Sequence, residues 1–282
     1  MVKCFFALCV SVCLHQKQLC AQKVILNERV SNIRITGILG AFPPELMLLK
    51  SQMTQQKDTL IQQMRFTKGI LRGRLIVLAQ TGIGKVNAAI TTTLMIEHFN
   101  PREIIFSGIA GGIDTTLFPG DIVIGMQITY HDYGLINDQG MHYEATQNPI
   151  TMKNNPRDFI CDSLLVSKAI STSKNIKLEP VKRNGLASMP TIKPGHIVTG
   201  DVFVASDSTT KRLRLDLGAA ATEMEGAAIA QTCWQQHIPF LIIRSLSDNA
   251  NSTAGNDVQT FYQIAARNAA ILVMAIVEAI AK

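Results

Sequence analysis

The sequence predicts a single α/β domain: a central, mixed but mostly parallel twisted sheet flanked by helices. Three observations lead there. Apolar runs of strand length alternate with helical stretches at least five times, the order that winds a largely parallel sheet with right-handed crossovers. Polar or glycine-rich turns follow those runs, at the strand ends where an open α/β sheet binds its ligands. At 47% hydrophobic and 17% charged, the 282 residues are too apolar for disorder and numerous enough for one large core.

The first 21 residues stand apart. Met1-Val2-Lys3 is short and basic, Cys4 to Leu14 is apolar, and Leu19-Cys20-Ala21 offers small residues for cleavage before Gln22. That is the plan of a secretory signal peptide, although Leu19 is bulky for its position. The expected organisation is therefore a leader over 1–21 and a domain over 22–282, with the mature protein secreted or periplasmic, or cytoplasmic if the leader is not used. The leader's apolar run is shorter than the roughly 20 residues that span a bilayer, so no membrane partner is expected after cleavage. Four of the six cysteines leave with it, and Cys161 and Cys233 exclude a disulfide framework while leaving one bridge open. The leader carries two of the 27 basic residues and none of the 21 acids, which leaves a net charge of +4. Those basic residues are scattered and not interleaved with aromatics, which argues against nucleic acid as a partner.

The domain then runs in order. Ile33 to Leu39 reads as the first strand. Pro43-Pro44 suit the opening of a helix, where the missing N–H would be unpaired anyway, and put Glu45 in its first turn. An acid there either serves the helix dipole or faces the mouth of the sheet; the spacing leaves both open. Residues 51–68 are polar and glutamine-rich, expected as a helix tail and loop. Arg74 to Ala79 is a second strand, and Gln80 to Lys85 a glycine turn opening a helix from Val86 to about Phe99. Strand, glycine turn and helix N-terminus make a polar-ligand site, but Thr81-Gly82-Ile83-Gly84-Lys85 is not a full nucleotide P-loop.

Glu103 to Phe106 is a third strand, ending in a second glycine turn, Ser107 to Gly112, whose glycines allow close approach of a ligand or of neighbouring elements. Ile122 to Thr129 is a fourth, closed by a polar loop holding His131, a histidine best read as structural. Residues 135–196 carry five prolines and little pattern beyond a helix near Asp158 to Thr172; a lid or insertion is expected. Ile197 to Val204 reads as a strand carrying Phe203. Glu223-Met224-Glu225 then opens a helix of small residues, Pro239 precedes a buried strand from Phe240 to Ile243, and charge returns with Arg244 and Ser247-Asp248 at that strand's end. An apolar helix from about Asp257 to Ala281 closes the chain.

Seven of these segments carry a resemblance when taken together: GILGAFPPE, QTGIGKVNAA, FSGIAGG, FPGDIVIG, TGDVF, EMEGAAIA and IIRSLSDNAN. In order and character they resemble the nucleoside phosphorylase superfamily, and within it the 5′-methylthioadenosine/S-adenosylhomocysteine nucleosidases. The resemblance runs from about Ile33 to the C-terminus and weakens between Leu135 and His196. It implies hydrolysis of an N-glycosidic bond to adenine, which requires protonating the base, activating a water and stabilising charge on the ribose. By resemblance, Asp248 protonates the purine N7 with Ser247 positioning it, and Glu45 activates the water. Glu225 grips the ribose hydroxyls with Met224 packed beside it, and Glu223 and Arg244 support the site. Phe203 stacks on the base, backbone at Val204 reads the adenine edge, and Ala110 and Gly111 line the substrate. The family also implies a small-molecule adenine nucleoside as partner, no cofactor or metal, and a homodimer. Three features depart from it: Ile109 replaces a small hydroxyl residue, paired prolines precede Glu45, and the 135–196 segment falls where the 5′-substituent pocket is built. Two other functions compete. A purine nucleoside phosphorylase should place a cation in the turn after the first strand to bind phosphate, where this chain has Ala41-Phe42-Pro43-Pro44-Glu45; a non-catalytic nucleoside-binding or storage protein should lack one of the three acids.

Overall fold

The computed structural model describes residues 34–183 and 185–281; the expected leader lies outside them. The first strand is β1 (Thr36–Gly40), followed by helix α1 (Pro43–Gln52) with prolines in its first two positions. The polar stretch expected as a helix tail and loop is instead a hairpin, β2 (Thr54–Ile61) and β3 (Met64–Leu71). β2 is exposed on both faces, so its side chains show no alternation of apolar and polar residues from which a strand could be read. β4 (Arg74–Gln80) and α2 (Lys85–Phe99) follow close to expectation.

β5 (Glu103–Gly112) runs straight through the residues expected as a second glycine turn, because Gly108, Ala110 and Gly111 remain paired with a later strand. β6 (Ile122–Tyr130) leads into the 135–196 region, which is more ordered than a simple insertion. It holds a small hairpin of β7 (Gly134–Asn137) and β8 (Gly140–Tyr143), a short β9 (Asp158–Ile160) on β6, helix α3 (Ser163–Ser173), and a second hairpin of β10 (Val181–Arg183) and β11 (Leu186–Ser188). The next strand, β12 (Ile192–Thr199), starts and ends earlier than expected, which leaves Phe203 and Val204 in the loop before α4 (Asp207–Leu217). β13 (Ala221–Glu223), α5 (Gly226–Gln235), β14 (Phe240–Asp248) and α6 (Ala254–Ala281) complete the chain.

The main sheet has the order β13-β12-β6-β14-β5-β1-β4-β3-β2. Pairings of β1 with β4 and β5, β5 with β14, and β12 with β6 and β13 are parallel. Those of β14 with β6, and of β3 with β2 and β4, are antiparallel, so the sheet is mixed as expected. One pairing bends it. β13 also runs antiparallel to the end of β5, with Ala221 opposite Gly112 and Thr222 opposite Gly111, so β5, β14, β6, β12 and β13 pair in a closed ring. The ring brings the Glu-Met-Glu segment against the glycine-rich end of β5.

Every residue of β14 is buried, and α6 lays Ala265, Ala266, Ala269, Ala270, Val273 and Val277 into the core. Cys161 and Cys233 are both buried and free, so the bridge left open by the sequence is not formed.

Candidate active site

Glu45 occupies the third position of α1, and the extended conformation of Phe42 turns the chain so that its carboxylate reaches back over the helix start. Its Oε2 accepts from Ala41 N (2.5 Å) and Phe42 N (3.4 Å), which satisfies N–H groups that a helix leaves unpaired. Its Oε1 accepts from Ile109 N of β5 at 2.8 Å. Both readings of this acid therefore hold: it caps its helix and it also lines a cavity. Burial pushes its pKa up, against the opposing pull of Arg244 and the three N–H groups.

Arg244 stands below, fully buried in β14, its guanidinium centred 3.8 Å from the middle of the Phe106 ring. It faces three acids at once: Nη2 donates to Glu223 Oε2 and, at 3.2 Å, to Glu225 Oε2, while Nη1 lies 3.7 Å from Glu45 Oε1. Nη1 itself finds no hydrogen-bond acceptor among the described residues. Gly108 is the reason these groups fit, since a Cβ there would collide with Arg244 Nη1 and the Glu45 carboxylate.

The two acids of the Glu-Met-Glu segment have separate employments. Glu223 accepts from Thr199 Oγ1, from Gly226 N at 2.8 and 3.0 Å, and from Glu225 N at 3.2 Å, besides Arg244. It ties the N-terminus of α5 to β12. Glu225 keeps more free capacity, accepting among the described residues from Gly84 N (2.9 Å) and Arg244. Burial, then the neighbouring Glu223, lift its pKa to about 7.

Asp248 ends β14. Its Oδ2 accepts from Ser247 Oγ and its Oδ1 from Ala250 N, both at 2.7 Å. Burial raises its pKa too, with those two bonds pulling the other way.

Glu45, Glu225 and Asp248 line one cavity of about 280 Å³. Ala110, Gly111, Phe203, Glu223, Met224 and Ser247, all singled out from the sequence, line it as well. Two residues do not. Arg244 acts from beneath through the acids, and the Val204 side chain turns away into a satellite cluster with Val198, Leu213 and Ala250. Other lining residues were not assigned to the substrate from the sequence: Ala41, Phe42, Ile83, Ile109, Thr222 and Val258. Ile83 sits inside the first glycine turn and Ile109 in the glycine-rich end of β5; Val258 lies on the last helix, where nothing in the pattern marks it. His131 is buried against Gly200 and outside the cavity. Among the described residues no group of His, Cys, Asp or Glu is placed to hold a metal ion.

The phosphorylase superfamily's sequence profile matches residues 35–278, nearly all of the described fold. The chain belongs to the phosphorylase superfamily. A superfamily member from Psychromonas ingrahamii, a 5′-methylthioadenosine/S-adenosylhomocysteine nucleosidase, is 40% identical over 242 residues, which cover 86% of this chain and 97% of that one. Solved structures agree. The nucleosidase of Neisseria meningitidis, in complex with methylthio-immucillin-A, superposes with a TM-score of 0.76 at 34% identity, covering 87% of this chain and 99% of its own. The Streptococcus pneumoniae nucleosidase, bound to the transition-state inhibitor MT-ImmA, gives 0.74 at 29% identity over 87% and 99%.

Proposed function

We infer that this superfamily member hydrolyses the N-glycosidic bond of adenine nucleosides such as 5′-methylthioadenosine and S-adenosylhomocysteine, releasing adenine. The observation that carries the reading is the meeting of Glu45, Glu225 and Asp248, from three separate elements, around one cavity. Asp248, its pKa raised by burial, serves as the acid that protonates the departing base. Its Oδ1 is held by Ala250 N, so Oδ2 carries the proton, and the Ser247 hydroxyl can turn from Oδ2 towards the Ala110 carbonyl oxygen, 3.3 Å away. Glu45 serves as the base for water, with Arg244 beneath it 3.7 Å from its Oε1. Glu225, with both oxygens facing few donors, accepts from the ribose hydroxyls and stabilises the positive charge that grows on the sugar. Phe203 at the mouth stacks on the base, worth about 1–3 kcal/mol.

Hydrolysis is favoured over phosphorolysis on charge. A phosphate dianion beside Glu45 would meet three carboxylates and one arginine already committed to them. The test is a product assay with methylthioadenosine and S-adenosylhomocysteine, each with and without phosphate. Free methylthioribose or ribosylhomocysteine in both conditions supports hydrolysis; a sugar 1-phosphate overturns it. Asp248→Asn and Glu45→Gln should each lower kcat by about 10²–10⁴-fold with the fold intact by circular dichroism. Near-normal turnover in either would strip that residue of its role.

Two further features belong to this reading. The exposed apolar side chains of Ile83 and Phe203 at the cavity mouth suit cover by a second copy of the chain, a homodimer testable by light scattering. The leader supports export, which a mature protein beginning at Gln22 would bear out and a full-length cytosolic protein would not.

A further inference from the structure

Lys85 occupies the first position of α2, where a cation opposes the helix dipole. Its surroundings explain why it is tolerated. Its ammonium donates to both oxygens of Asp132 at 2.7 Å and lies 3.7 Å from Asp201 Oδ2 and 5.4 Å from the centre of the Tyr130 ring. The same two acids hold backbone: Asp201 Oδ1 accepts from Lys85 N, and Asp132 Oδ2 from Asp201 N, both at 2.8 Å. Lys85, Asp132 and Asp201 thus close a ring of contacts across three loops: the first glycine turn, the loop after β6, and the loop after β12 that carries Phe203. Lys85 and Asp132 are largely sheltered, with about a fifth of each side chain exposed.

The residue next to this ring is Gly84. It holds φ of 98°, a conformation other residues rarely adopt, and from there its N–H reaches Glu225 Oε1 at 2.9 Å. A hydrogen bond from the N-terminal end of α2 is thereby aimed at the acid assigned to the ribose. We propose that Lys85 is a positioning residue: anchored by Asp132 and Asp201, it locks the glycine turn so that the Gly84 N–H stays on Glu225, and fixes that turn relative to the Phe203 loop. The role rests on the nucleosidase reading for its catalytic consequence, but the geometry it controls is present without substrate.

The charged groups facing Glu225 are Arg244 from β14, Glu223 from β13 and Glu45 from α1; the Gly84 N–H is its remaining donor. Losing that donor removes a bond made to the ionised form, so the acid should titrate higher. Charge alone makes a different prediction, which allows a clean test. Lys85→Met deletes a cation and Asp132→Asn deletes an anion, so a through-space effect moves Glu225 up in the first and down in the second. A positioning effect moves it up in both.

The experiment is a carbon-13 NMR titration of the glutamate carboxyl carbons in the intact chain, with Glu225 assigned from Glu225→Gln. Both variants are expected to raise the Glu225 midpoint by about half a pH unit or more. Lys85→Arg, which keeps both ion pairs, should restore it. The acid limb of kcat/KM for methylthioadenosine should move with the midpoint, and KM should rise several-fold more than kcat falls. An unchanged midpoint in Lys85→Met, or a lowered or unchanged one in Asp132→Asn, overturns the proposal. A wild-type chain without turnover would instead count against the nucleosidase reading, and the titration would still decide the role of Lys85.

Discussion

Three carboxylates, Glu45, Glu223 and Glu225, crowd the single guanidinium of Arg244, so the buried cluster has an excess of acids. That excess suits a reaction in which the ribose becomes positive, but it works against folding. Glu225 shows the conflict directly, with its pKa lifted from the ordinary 4.5 to about 7. Between those values the folded chain holds a proton that the unfolded chain has released. Stability is therefore lost as pH rises through that window, and is fully present below it. Glu225→Gln cannot titrate, so its Tm should fall less than the wild type's between pH 5 and pH 8. Its kcat/KM should drop by about 100-fold or more, the size of losing one oriented electrostatic contact. Calorimetry at the two pH values checks the first outcome and initial rates the second. Parallel Tm losses in both proteins would mean that Glu225 is not the group that titrates there.

At the scale of elements, the legible parts of the chain were those whose burial leaves a pattern. β4, β5 and β14 are apolar because neighbours cover both faces, and α5 shows itself by its small residues. Asp248 at the end of β14 and Glu225 at the start of α5 break these patterns and line the cavity, while Arg244 breaks the β14 run from beneath it. The β2–β3 hairpin was illegible for the opposite reason, since an exposed edge strand of Gln55, Gln56, Lys57 and Asp58 buries nothing. Its turn compounds the difficulty. Gln62 and Gln63 both adopt positive φ, 48° and 66°, the geometry of a tight hairpin turn normally marked by Asn-Gly. Gln63→Gly should relieve left-handed strain of about 1 kcal/mol, the scale set for ordinary residues in that conformation. For a chain of this size that is a rise of about 2–4 °C in Tm, with kcat/KM unchanged because no residue of the hairpin lines the cavity. A lower Tm would show that the turn is not strained as its angles imply. β13 was equally hidden: three residues carry no period, and their pairing with β5 joins segments more than a hundred residues apart.

The ring closed by β13 gives the whole molecule its dependence on ligand. Glu45 arrives on α1, the Gly84 N–H on α2, Ile109 on β5, Glu225 after β13 and Asp248 at the end of β14, so anything that bridges them fastens five elements together. A ligand that binds only the folded chain stabilises it by about 4 kcal/mol at a thousand times its Kd, or roughly 10 °C for a domain of this length. Methylthio-immucillin-A, bound by the Neisseria meningitidis relative, should produce a shift of that size at saturation. The same cavity predicts the response to phosphate. Inorganic phosphate must approach Glu45 and Glu225 with Arg244 already spent on their charge, so millimolar phosphate should leave Tm unmoved, alone or beside the inhibitor. Differential scanning fluorimetry of the two ligands, separately and together, distinguishes the outcomes. A phosphate shift that grows when inhibitor is present would reveal an anion subsite beside the sugar and return the chain to the phosphorylases; a large shift with inhibitor alone places the binding energy with the nucleoside and leaves water as the nucleophile.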